Sequence, residues 1–161
     1  MFIGPVTASR CCALASLLSS LVLLIGCGDG AGEASDQRSP PEVEAIPDFN
    51  GCTPSAYEDQ RAANAARVIG VATTGLTFTP RCLLIRMGQT VTWQGALTAH
   101  PLAAGNPDDP SAGSEGSPIL TTSSGDSVSF TFASAGTFPY QCQLHAFGAG
   151  KGMAGVVAVT E

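Results

Sequence analysis

At 161 residues, 44% hydrophobic and 12% charged, the chain has apolar material for one small domain with appendages and no room for a second core. Thirteen acidic side chains outnumber seven basic ones, giving a net charge of −6. The basic residues are scattered and the few aromatics are not interleaved with them, which excludes a phosphate-reading surface and nucleic acid as a partner.

The N-terminus carries Arg10 followed by sixteen uncharged residues, CCALASLLSSLVLLIG, the length of an export-signal core and short for a membrane span. That core ends in Leu24-Ile25-Gly26-Cys27. The ending resembles the bacterial lipobox, which implies a lipoprotein signal peptide over 1–26 and Cys27 as a lipid-bearing mature N-terminus. An ordinary cleaved signal and an uncleaved anchor helix are the competing readings. Under Gram-negative sorting rules, Gly28 in place of an aspartate favours the outer membrane. Residues 27–49 are rich in Gly, Pro, Ser and acids and poor in anything that could be buried, so they read as a flexible acidic tether. The folded domain is expected over 50–161.

Within it, short runs of β-branched and aromatic residues are punctuated by Gly, Pro and Ser, the pattern of an all-β sandwich. The expected strands are 66–72, 82–87, 90–95, 127–133, 137–142 and 155–160. Alternation is cleanest in SVSFTF, where Val128, Phe130 and Phe132 face one way and Ser127, Ser129 and Thr131 the other. One short helix is expected over 55–66, where Ser55 and Glu58 have capping-box spacing. Residues 101–119 read as one long Gly/Pro/Asp loop. Phe130, Phe132 and Trp93 are assigned to the core, Tyr57 and the acids of 108–115 to solvated surface.

Of six cysteines, Cys11 and Cys12 leave with the leader and Cys27 would be acylated, so three remain in the domain. An oxidising envelope favours a Cys52–Cys82 disulfide, which on chain-entropy grounds is worth roughly 3 kcal/mol. Cys142 is then an unpaired thiol in a compartment that oxidises thiols. Its neighbours offer protection. A thiolate, two imidazoles and a weak thioether make a type 1 copper site, and Cys142, His145 and Met153 lie within a dozen residues of one another. The second imidazole can come only from His100, because the chain has two histidines. Taken singly, each residue has a plainer reading: a lone histidine is usually surface or satisfied core, and Met153 could fill the core before a strand. Phe138, Tyr140 and Cys142 share one strand face by period 2, which turns the thiolate toward an aromatic interior.

GQTVTW followed by AHPL, then GTFPYQCQLH and GMAGVVAV, resembles the plastocyanin/azurin branch of the cupredoxins across most of 66–161. The resemblance implies a Greek-key β-sandwich of about eight strands, holding one copper at its loop-bearing end to carry single electrons. It also implies His100 and His145 as imidazole ligands, Cys142 as thiolate and Met153 as axial sulfur. Two departures stand out. Seven residues, AFGAGKG, separate His145 from Met153 where the family has two to four, so an outward bulge is expected, with the Ala99 carbonyl, Gln141 or Gln143 as alternative axial donors. Pro101 stands where the family carries an Asn whose amide donates to the thiolate; proline has none to give, which leaves the Leu144 amide as the expected single donor to the sulfur.

Three functional classes follow. The first is a type 1 copper electron carrier in the bacterial cell envelope. It would be a monomer anchored by lipid on Cys27, with a c-type cytochrome or oxidase docking beside His145. The alternative is a copper-binding, storage or delivery lipoprotein, although such proteins tend to use many more Met and His residues. An enzyme is excluded by counting: a copper oxidase or nitrite reductase needs a further histidine-rich centre, and both histidines are committed.

Overall fold

In the computed structural model, residues 46, 48–72, 74–148 and 150–161 are described. The leader, Cys27 and nearly all of the tether lie outside them. The described chain forms nine strands and one 3-10 turn, Pro54–Ala56. The strands are β1 (Glu58–Asp59), β2 (Val68–Ala72), β3 (Thr77–Thr79), β4 (Cys82–Arg86), β5 (Thr90–Gly95), β6 (Leu102–Ala104), β7 (Ser127–Thr131), β8 (Gly136–Phe147) and β9 (Lys151–Thr160). They make two sheets, β1-β4-β9-β8-β6 and β3-β2-β5-β7, packed as the expected all-β sandwich.

The four-stranded sheet follows its alternation. β2 lies parallel to β5, and β5 antiparallel to β7 with Trp93 opposite Val128. Ile69, Val91 and Trp93 are fully buried. On the wet face, the Thr92 and Ser129 hydroxyls lie 2.8 Å apart and those of Thr90 and Thr131 2.7 Å apart. Between the sheets, Trp93 meets Tyr140 edge to face at 5.1 Å, and Phe78 meets Tyr140 at 5.0 Å. Phe132 packs on Phe138 at 5.2 Å. Such aromatic pairs add about 0.5–1.5 kcal/mol each beyond the area they bury. Phe132 and Trp93 are core as expected, and Phe130 is half-buried against it.

The expected helix over 55–66 does not form. Its start is one 3-10 turn, in which the Ser55 hydroxyl pairs with that of Thr53 at 3.3 Å rather than capping a helix. Glu58 and Asp59 then run parallel to Leu83 and Leu84, and the Gln60 amide donates to the Leu84 carbonyl at 2.8 Å. Arg67 donates to the carbonyls of Gln60 (3.0 Å) and Ala62 (2.5 Å). Alanine propensity amounts to tenths of a kcal/mol per residue, and these tertiary bonds override it. Tyr57 is not solvated surface either. It packs on the small cluster of Cys52, Cys82 and Val156, and its hydroxyl is buried without a partner among the described residues. The Cys52–Cys82 disulfide is present, with Cα atoms 5.6 Å apart.

The 101–119 segment is not all loop. Its start is β6, which pairs antiparallel with β8, setting Leu102 opposite Cys142. β8 and β9 also run further than expected, and their added length is where the candidate site lies.

Candidate metal centre

His100 follows a turn that leaves β5, its amide donating to the Ala96 carbonyl at 3.0 Å. Two residues later the chain enters β6, and the Gln143 amide donates to the Pro101 carbonyl at 2.9 Å. This register sets His100 beside the segment that follows Cys142. Pro101, which lacks an amide, thus ties the two ligand-bearing segments together through its oxygen.

Cys142 continues the inward face of β8 after Phe138 and Tyr140 and is fully buried. His145, three residues on, is half-buried, while His100 is 3% exposed. Their ring nitrogens converge on the sulfur. Nδ1 of His145 lies 3.5 Å from Cys142 Sγ, Nδ1 of His100 lies 4.0 Å from it, and the two Nδ1 atoms are 3.1 Å apart. Three donors around one ion, at nitrogen distances near 2.0 Å and a sulfur distance near 2.3 Å, would stand roughly 3.4–3.8 Å apart in a plane. The observed separations bracket that range. One soft cation can take up all three lone pairs at once. Burial, and secondarily the charge of His145, lowers the pKa of His100 and favours the neutral imidazole that a metal needs. Among the described residues this trio is the only cluster of three or more His, Cys, Asp or Glu able to hold an ion.

Met153 is fully buried in the core cluster that also holds Cys142, Leu97 and Leu102. The pairing of β8 with β9 explains its place. Gln141 faces Ala154, and the next matched pair is Ala146 with Gly152. Four residues, Cys142 to His145, therefore stand opposite the single residue Met153. The seven-residue spacer is not a simple outward bulge: Ala146 and Phe147 pair with Gly152 and Lys151 as a two-rung hairpin that brings the chain back to Met153. Gly152, at φ 72°, lies inside that hairpin, where a side chain would collide with the His145 carbonyl. Among the described residues, the polar contacts of Cys142 Sγ are the two Nδ1 atoms. The expected Leu144 amide bond to the sulfur is absent, and the Leu144 side chain faces solvent.

Residues 65–160, more than half of the chain, match the sequence model of copper-binding proteins of the plastocyanin/azurin family. Among solved structures, the chain is similar to the Cu(I) form of an amicyanin mutant at 27% identity and a TM-score of 0.43, covering 62% of this chain and 86% of that one. It is similar to the reduced state of another amicyanin mutant at 26% identity and a TM-score of 0.42, with the same coverage. A Cu-containing nitrite reductase from Thermus scotoductus SA-01 matches at 18% identity and a TM-score of 0.43, covering 66% of this chain and 28% of that one. On the family match, and with a buried thiol and two converging imidazoles as its donor set, this chain belongs to the plastocyanin/azurin family of copper-binding proteins.

Proposed function

We propose that the protein is a type 1 copper electron carrier. One observation carries the reading: two Nδ1 atoms and one thiol sulfur converge within 4.0 Å at the place where four residues of β8 face Met153 alone. In this reading His100, Cys142 and His145 supply the three strong donors and Met153 the weak axial one. Bound copper would alternate between Cu(II) and Cu(I), accepting one electron from a donor protein and passing it to an acceptor. The chain's task is to change little between those states. Buried Cys142 and His100 keep water from the centre, and the neutral imidazoles and thiolate suit both charges.

His145 is the ligand nearest solvent, and exposed Leu144 and Phe147 flank it. That edge is the proposed port, where a c-type cytochrome or an oxidase would dock without burying charge. The sequence offers two histidines in all, so no further imidazole remains for a catalytic copper, and we infer a carrier rather than an enzyme. From the lipobox-like leader and acidic tether we infer a carrier in the bacterial envelope, held by lipid on Cys27 and acting as a monomer.

The test is a visible spectrum of the full chain, purified in detergent, on addition of Cu(II). An intense red-end band, lost in Cys142→Ser, is the expected result. A colourless protein, or copper bound equally well by the variant, would overturn the assignment.

A further inference from the structure

Met153 occupies an unusual stretch of its strand. The ladder between β4 and β9 begins at Val156, and that between β8 and β9 passes from Ala154 to Gly152. Neither neighbouring strand pairs with residue 153, so its backbone must be fixed from its flanks.

Arg81 does this. Its Nε donates to the Ala154 carbonyl at 3.1 Å, and its Nη2 to the carbonyls of Gly150 (2.5 Å) and Asn50 (2.8 Å). Its own carbonyl accepts the Tyr140 hydroxyl at 3.0 Å and the Val156 amide at 2.9 Å. The base it works from is held by several bonds. Asn50 and Gly51 form a two-residue turn with φ of 48° and 73°, closed by the Cys52 amide on the Phe49 carbonyl at 2.7 Å. The Asn50 side chain donates to the carbonyls of Gly155 (3.1 Å) and Tyr140 (3.4 Å). Gly150 lies so close to this turn that a side chain on it would collide with Asn50. The disulfide of Cys82, next to Arg81, holds the turn to β4.

We propose that Arg81 is the positioning residue for the axial sulfur, holding the backbone on both sides of Met153 through one planar guanidinium fork. A lysine has no such fork and would hold fewer of the three carbonyls at once. This inference rests on Met153 being the axial donor. The positional claim itself can be read without copper.

The experiment compares the full chain with Arg81→Met and Arg81→Lys, recording the Met153 methyl resonance of the metal-free protein, then the spectrum and reduction potential after Cu(II) loading. In Arg81→Met the methyl resonance shifts and broadens. The red-end band persists, because Cys142 and both histidines are untouched, and the potential rises as axial donation to Cu(II) weakens. Arg81→Lys gives a smaller change in the same direction. A folded Arg81→Met with the parent methyl resonance and potential, altered only in melting temperature, overturns the proposal. If Arg81→Met does not fold, Arg81→Lys decides: a shift of the same sign supports the proposal and parent values overturn it. If the parent chain itself gives no intense band, the ligand reading has failed, and the metal-free methyl comparison still decides whether Arg81 sets the position of Met153.

Discussion

The two sheets solve different problems. In the four-stranded sheet, β5 alternates between buried and wetter positions and β7 between half-buried and exposed ones, and the outer face is finished with paired Thr and Ser hydroxyls. In the five-stranded sheet, β4, β8 and β9 carry runs of four to seven consecutive buried residues. Irregular chain covers its outer face: Cys52 and Tyr57 lie over Cys82 and Val156, and Gly113 lies against Pro139. The proposed ligands all belong to this covered sheet or to the turn that enters it. A sheet that only needs a core can leave one side to water. The sheet that carries the thiol and the thioether is the one covered on both sides.

If that division holds, damage to the two sheets should be distinguishable. The largest effect is expected from Trp93→Ala, which removes the ring packed on Tyr140 and Phe130 and should cost about 3–5 kcal/mol in denaturant unfolding. Its copper band should survive for as long as the protein stays folded. A band altered under fully folding conditions would show that the sheets are not separable. Next is removal of the disulfide by Cys52→Ala with Cys82→Ala, which closes a separation of 30 residues and should cost roughly 3 kcal/mol. Here the reduction potential should move along with the stability, because the turn at 49–52 braces the hairpin of Met153. An unchanged potential would mean the turn holds without its covalent link.

A smaller effect tests the cover itself. Burial, with a lesser push from Asp48, raises the Tyr57 hydroxyl from 10.0 to about 12. The folded state therefore holds this proton more tightly than the unfolded chain does. The resulting stability is complete below pH 10 and is lost as pH rises to about 12. Tyr140, raised chiefly by burial, acts with the same sign. Tyr57→Phe should make that alkaline loss shallower, and should gain about 1 kcal/mol or less at neutral pH by removing a buried hydroxyl that has no partner. An unchanged alkaline profile would place that hydroxyl in water. The smallest effect is expected on the wet face, where Thr92→Ala should cost about 0.2–1 kcal/mol through the lost Ser129 contact and leave the spectrum untouched.

The same contrast explains which parts of the fold are legible in the amino-acid sequence. β2, β4, β5 and β7 were legible because short β-branched or alternating runs are a local signal. So was the grouping of His100, Cys142 and His145, since the chain has two histidines, Cys142 is the domain's one cysteine outside the disulfide, and the chemistry of such a set is narrow. The helix over 55–66 failed because local propensity competes with bonds to Leu84 and Arg67 that no local window contains. β3 and β6 were missed because each is only three residues long and defined by its partner. Tyr57 reads as surface because its cover includes Val156, which lies about a hundred residues away in sequence and enters no local pattern. The spacer AFGAGKG, read as a bulge, is a hairpin because glycines at 150 and 152 allow its inner arm to approach Asn50 and His145 closely.

That hairpin lets the spacing of the proposed ligands change by whole rungs. Each rung, such as Phe147 with Lys151, adds one residue to either arm. The chain from His145 to Met153 can thus lengthen or shorten in steps of two while both ends stay in register. A step of one must be taken up in the turn between the arms, because slipping one arm against the other by a residue would turn its side chains to the opposite face, Met153 included. Extra length between the proposed ligands can therefore be stored as whole rungs of a hairpin that leave both ends where the sheet fixes them.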